Sequence, residues 1–346
     1  MCRTEKVISL LRLGITTFNQ TIPDGFVLIF AGRSIKHLKM AIKYGVIGTG
    51  ALGGFYGGKL ANAGQEVHFL FRSDYEYVRK KGLQVDSVNG DFRLSKVNAY
   101  QTTRQMPVCD VILVCMKTTG NHLLPEMIRS LIHPRSVVIL LQNGLGLEDD
   151  LAAQLPDVEI AGGLAFICSN KVGPGHIQHL DYGKLIIGSY NLIDSEILKQ
   201  VVVDFQSAGI QSEMATDLRF ARWQKLVWNI PFNGMTVVLN TTTDRLMANV
   251  STRELAVEMM LEVIHGANRC GIPLKESFAQ QMIGMTVEMK PYAPSMKLDF
   301  DAHRPMEIGY IYSNPIKTAH KAGFEMHKVS MLEKQLQFIE AHRLDK

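Results

Sequence analysis

The run Gly48-Thr49-Gly50-Ala51-Leu52-Gly53 reads G-x-G-x-x-G, a spacing with a definite chemical use when it joins a strand to a helix. The first glycine permits a tight turn, the second lets backbone approach a pyrophosphate, and the third lets the helix pack closely on the strand. Amide N–H groups at the helix start then face the phosphates. Arg72, followed by Ser73, stands 19 residues beyond Gly53, where NAD-binding chains usually carry an acid for the ribose 2′-hydroxyl. A guanidinium there suits a 2′-phosphate through charge-assisted contacts, so the expected dinucleotide is NADP(H). Lys117 and Asn143 each follow a short apolar run, at strand ends of the kind where open α/β sheets bind ligands. Taken alone, a solvated lysine and an ordinary Asn-Gly turn explain them equally well.

A second set lies far downstream. Lys225, Asn229 and Asn233 recur at i, i+4 and i+8, so a helix would place all three on one face. Trp223, Leu226, Trp228 and Phe232 flank them, which makes the row a polar track inside an apolar element, with Pro231 expected to kink it. Buried amides need partners, and a small polar ligand could supply them; a solvent-facing stripe is the plainer alternative. His176 and His179 have metal-like spacing, but no third ligand accompanies them and no metal is expected. Of the 17 methionines, 11 are scattered through the stretch after Thr216, and they read as gap-filling core residues.

The elements that must position these groups follow from periodicity. Tyr44–Gly48 reads as a short apolar strand and Val67–Phe71 as an alternating, aromatic one, while the strongly apolar runs Val111–Met116 and Val137–Leu141 suit strands buried on both faces of a parallel sheet. Helical stretches at Ala51–Ala63 and Leu123–Leu131 alternate with them, which predicts a doubly wound α/β domain. The segment 158–189 reads as further short strands with turns at Gly173-Pro174-Gly175 and Tyr182-Gly183. A helix near Glu196–Ser207 and a strand at Ile210–Ala215 come next. After Thr216 long amphipathic stretches dominate (Asp217–Asn229, Thr252–Cys270, Glu276–Met289, Gly309–Ala322), predicting an all-α second domain. The expected fold is a Rossmann-type dinucleotide-binding domain over 40–215, then an all-α domain over 216–346 carrying substrate and catalytic groups.

Charge and composition narrow the function classes. The chain has 346 residues, 46% hydrophobic and 20% charged, an ordinary globular balance with no apolar run of membrane-spanning length. Its net charge of +4 comes from residues 1–39, where Arg3, Lys6, Arg12, Arg33, Lys36 and Lys39 face only Glu5 and Asp24. The rest balances at 31 bases against 31 acids, so no nucleic-acid or membrane partner is expected. Residues 1–39 build no evident unit and are expected to be poorly ordered, ahead of a start at Met40; a basic address segment is the competing reading. Five cysteines without a C-x-x-C pair suit a reducing cytoplasm.

From about Met40 to its end the sequence resembles the ketopantoate reductase family. The resemblance rests on Gly48–Gly53, Arg72, Lys117, Gln142-Asn143-Gly144, Lys225-Leu-Val-Trp-Asn229-Ile-Pro-Phe-Asn233, and Pro294-Ser295-Met296 with Asp299, Arg304 and Glu307-Ile308, in that order. It implies an N-terminal NADP-binding domain, a helical domain and a substrate cleft between them. It also implies NADPH-dependent reduction of 2-dehydropantoate to (R)-pantoate in pantothenate synthesis. In that family pattern Lys225 is the general acid and Glu307 the acid that interacts with it. Asn229, Asn233 and Ser295 contact substrate, and Lys117 and Asn143 line the nicotinamide side. The partner is then a small 2-keto acid, with a homodimer allowed. Pro294, Gly309 and the Thr243-Asp244 region depart from the family pattern and bear on which keto acid is reduced. Reduction of another small keto acid, or NADP binding without catalysis, are the competing readings.

Overall fold

The computed structural model describes residues 41–344 other than 290 and 292, so the expectation for residues 1–39 lies outside the described residues. The chain enters with β1 (Lys43–Ile47), α1 (Ala51–Asn62), β2 (Glu66–Leu70), α2 (Tyr75–Lys81), β3 (Leu83–Ser87), β4 (Phe92–Leu94) and β5 (Asn98–Tyr100). It continues with β6 (Val111–Val114), α3 (Leu124–Arg129), β7 (Val137–Leu140), α4 (Leu147–Gln154), β8 (Glu159–Gly173), β9 (His176–Ser189), α5 (Glu196–Ser207) and β10 (Ser212–Met214). Every residue of β6 and β7 is buried, as strands covered on both faces require. Six of the strands run parallel in the order β5-β2-β1-β6-β7-β8, the order of dinucleotide-binding sheets, with the switch point between β1 and β6. The glycine turn leaves β1 at that switch point.

Residues 158–189 correct the expectation of several short strands. They form one long antiparallel hairpin, β8 against β9, tipped by Pro174-Gly175. The turn expected at Tyr182-Gly183 is a β-bulge within β9: both residues have positive φ (61° and 120°), and the pairing register shifts there. Before the bulge β9 pairs with β3, at His176–His179, and beyond it with β10, at Leu185–Ile187, which extends the sheet.

The second half is helical among the described residues: α6 (Leu218–Val238), α7 (Thr243–Ala248), α8 (Val250–Arg269), α9 (Ser277–Glu288), α10 (Ser295–Asp301), a π-helical turn at Gly309–Ser313, α11 (Asn314–Lys321) and α12 (His327–Leu344). Helix α6 starts where the Asp217 side chain accepts the Phe220 N–H, a standard N-cap. It runs through Pro231, well past the Asn229 end expected from the pattern. An interior proline costs about 3 kcal/mol. Burial of Ile230, Phe232 and Met235 in the helical core offsets that cost, at about 1.5–3 kcal/mol for each large side chain. No helix among the described residues is long and apolar enough to cross a membrane.

Sheet and helices belong to one compact unit, Ala41–Lys346, but keep separate hydrophobic cores. A buried guanidinium joins them. Arg222, on the first turns of α6, donates from Nη1 to Gln142 O at 2.6 Å and from Nη2 to Leu140 O at 3.0 Å. Its Nε donates to Glu148 of α4 at 3.1 Å, completing an ion pair whose side chains are 3% and 5% exposed. Glu148→Ala strands that charge in a dry interface, and removing one partner of a buried pair costs about 3–5 kcal/mol. We expect a loss of that size in urea unfolding; a loss below about 1 kcal/mol would mean that solvent reaches Arg222.

Candidate active site

The glycine turn is fixed by close contact. Gly48 has φ +92°, and a Cβ there would lie 2.3 Å from Met116 N, so only glycine lets β1 and β6 end side by side. A Cβ on Gly53 would meet Gly48 O at 2.4 Å. Gly50 differs: a Cβ there would meet nothing within 4 Å, and no side chain caps α1. The uncapped N–H groups of α1 therefore open onto space that a phosphate can enter. Thr49 donates to Leu70 O at 2.9 Å, tying the turn to the end of β2. Arg72 lies just beyond, exposed and without a hydrogen bond or ion pair among the described residues. A dinucleotide bearing a 2′-phosphate fits these groups.

Two lysines face opposite electrostatic surroundings. Lys117, after β6, is gripped by two buried carboxylates from the helical half, Asp299 at 2.7 Å and Glu307 at 3.0 Å. Burial alone would pull its ammonium down, but the two carboxylates outweigh that and hold the lysine charged well above its ordinary range. Glu307 also accepts the Thr118 N–H at 3.0 Å, and Arg304 closes the cluster on Asp299 at 2.9 Å. Lys225 is the reverse case. Its Nζ donates to Ala165 O at 2.7 Å and sits 5.1 Å over the Phe166 ring, with no carboxylate in contact among the described residues. Burial, then the Arg222 charge one turn earlier, lowers its pKa to about 7, and Glu307 offsets this only through its nearby charge. The contact expected between Glu307 and Lys225 thus takes another form, because Glu307 is paired with Lys117 and Thr118.

The polar row on α6 turns inward. Asn229 is 7% exposed and its side-chain amide makes no hydrogen bond within the protein among the described residues, which leaves it for a ligand. Asn233 is 2% exposed and both ends of its amide are in use: Nδ2 donates to Asn229 O at 2.9 Å, and Oδ1 accepts Met296 N at 3.1 Å. The structure thus places Asn233 as a brace that holds Ser295-Met296 against α6. The Ser295 hydroxyl, on the first residue of α10, has no hydrogen-bond partner among the described residues. Asn143 is likewise half-buried with an unused amide. Its loop is stitched to the helical half, where Leu145 N donates to Tyr310 O at 2.9 Å and a Cβ on Gly144 would fall 2.5 Å from the Tyr310 Cβ. Tyr310 lies in the π-helical turn, a feature that often marks functional sites.

His176 bonds Asp86 at 2.7 Å, and His179 bonds Ser87 and two backbone carbonyls, so both serve the hairpin. In the sequence Arg222 gives almost no signal, being a lone arginine between Ala221 and Trp223. The pairing of Asp299 with Lys117 spans 182 positions, and no local pattern announces it.

Comparison with known proteins agrees with this geometry. The family model described as ketopantoate reductase PanE/ApbA matches residues 44–191, and that described as ketopantoate reductase PanE/ApbA C terminal matches 217–340. The 2-dehydropantoate 2-reductase of Nostoc sp. is 49% identical over 303 residues, covering 86% of this chain and 95% of its own length. The crystal structure of 2-dehydropantoate 2-reductase from Geobacter metallireducens superposes with a TM-score of 0.83 at 38% identity, over 86% of this chain and 99% of the other. A D-mandelate dehydrogenase solved with NADH and anilino(oxo)acetate shares the fold alone, with a TM-score of 0.78 at 19% identity over 87% and 99% of the two chains. The chain belongs to the ketopantoate reductase family.

Proposed function

We propose that this chain reduces 2-dehydropantoate to (R)-pantoate with NADPH, a step of pantothenate synthesis, in the cytoplasm. The observation that carries the reading is the contrast between its two cleft lysines, one locked as a cation and one poised near neutrality. Environments that push paired groups apart in pKa are how a fold assigns acid and base roles. Bound NADPH supplies the hydride. Gly50, the open N-terminus of α1 and Arg72 hold its phosphates, and Lys117 and Asn143 border the reacting end. Lys225 donates a hydrogen bond to the substrate carbonyl oxygen and yields its proton as negative charge builds there. Asn229 and Ser295 offer unused polar groups that orient the keto acid. The thiols of buried Cys109 and half-buried Cys115, both raised by desolvation, suit a reducing compartment.

A different small 2-keto acid is the second reading, favoured by Pro294 and Gly309 where the family pattern differs. A keto-acid panel followed by NADPH absorbance separates the two: ketopantoate should give the highest kcat/KM, and a clear preference for another acid would overturn the assignment. A homodimer belongs to this reading, with Met331 and Phe338, 50% and 64% exposed on α12, as an apolar face for it. Sedimentation velocity decides it, a monomer at working concentration being the contrary result.

Lys225→Ala should lower turnover by about 10²–10⁴-fold with NADPH affinity retained, as loss of a general acid does. Near-wild-type turnover would remove Lys225 from the chemistry. Reduction requires the protonated lysine, so kcat/KM should be level at low pH and fall as pH rises through about 7. Glu307→Gln deletes a charge that favours the ammonium, so that limb should move to lower pH. A limb that stays in place would mean that Glu307 does not reach Lys225 electrostatically.

A further inference from the structure

Arg72 has a carboxylate two positions away. Asp74 follows it in the loop between β2 and α2, and an acid at this end of β2 is what dinucleotide folds use to bind a ribose 2′-hydroxyl. Left in the open, such a charge would repel a 2′-phosphate. Here it is taken out of the way. Asp74 is 5% exposed; its Oδ1 accepts Lys171 Nζ at 2.6 Å and Ser73 Oγ at 2.9 Å, and its Oδ2 accepts Gly175 N at 2.9 Å.

Lys171 and Gly175 come from the tip of the β8–β9 hairpin, about a hundred residues away, and the tip is wedged in place. Gly175 has φ +60°, and a Cβ there would sit 2.8 Å from Val78 Cγ2 and 3.0 Å from Gly82 O. Its carbonyl accepts Gln84 N at 2.9 Å. The tip thus grips α2, the direct continuation of the Arg72 loop. Burial would raise the Asp74 carboxyl, but Lys171, the Gly175 N–H and Ser73 outweigh it and hold it below the usual carboxylate range. The charge is therefore always present and always countered.

We propose that the hairpin tip sets cofactor choice, Lys171 sequestering and neutralising the Asp74 carboxylate so that Arg72 meets the 2′-phosphate without a competing negative charge. Asp74 and Lys171 are positioning residues, and the inference rests on the assignment of Arg72 to that phosphate. With Lys171 removed, Asp74 faces the phosphate uncompensated, while NADH has no phosphate there to repel.

The test is calorimetric titration of the full chain with NADPH and with NADH for Lys171→Met, Asp74→Asn/Lys171→Met and Arg72→Ala. Lys171→Met should weaken NADPH by roughly tenfold and NADH by less than about twofold, the scale of one nearby like charge. The double variant should regain most of the NADPH affinity, because the offending charge is gone while the lysine contact is still missing. Equal losses for both cofactors, no loss at all, or a double variant as weak as the single would overturn the proposal. Arg72→Ala separates the two levels. If its loss is selective for NADPH while that of Lys171→Met is not, only the hairpin inference falls; if its own loss is unselective, the Arg72 assignment falls with it. Should Lys171→Met fail to fold, Lys171→Gln and Asp74→Asn/Lys171→Gln carry the same comparison.

Discussion

Arg222 is a full charge removed from water between a sheet and a helical core. A guanidinium survives there only if its donors are spent, and Arg222 spends them on Glu148, Gln142 O and Leu140 O. The consequence is geometric. These acceptors belong to the end of β7 and the start of α4, so α6 can cross the sheet in one register only. Lys225, one turn further on, is thereby set beneath Ala165 of β8, and Asn229 one turn beyond that. The same guanidinium also lowers the Lys225 amine through its charge. One buried residue thus positions Lys225, the proposed proton donor, and tunes it.

The rest of the cleft sorts into groups that hold and groups that are left open. Lys117, Glu307, Asp299 and Arg304 satisfy one another across the two halves, a mutually neutralising cluster. Asn233 braces α10. Asn143, Asn229, Ser295 and Arg72 have no such work among the described residues, and they are the groups proposed to meet a keto acid and a phosphorylated dinucleotide. This division explains how a buried lysine amine near neutrality is tolerated beside so many ions: the neighbouring acids are already occupied.

Much of the α/β half could be read directly, because β1, α1, β2, β6 and β7 carry strong apolar periodicity and a motif whose glycines each have a steric reason. The β8–β9 hairpin could not be read as one piece. Gly183 and Pro174-Gly175 send the same turn signal, yet one is a bulge inside a strand and the other a true reversal, a distinction made only by pairing with β3 and β10. The edge strands β4 and β5, and β3 beside β4, are short and partly polar, and escaped for that reason. In the helical half, Pro231 hid the length of α6. Helix α12 hid because Met331 and Phe338 blur the stripe made by Val329, Leu332 and Leu336. At the site, residue types and spacing along α6 carried the polar row, whereas Glu307 with Lys117 and Asp74 with Lys171 join distant segments and exist only once the chain is folded.

The claim on which the chemistry turns is that Lys225 in the folded protein sheds its proton near neutral pH. Nitrogen-15 NMR of the lysine side chains, with the Lys225 signal identified by its absence in Lys225→Arg, measures this without any turnover. A titration midpoint at about 7 is the predicted result. A midpoint near the ordinary lysine value of 10.5 would contradict the account, because the amine would then be as acidic as any solvated lysine and the burial around it would have no chemical consequence.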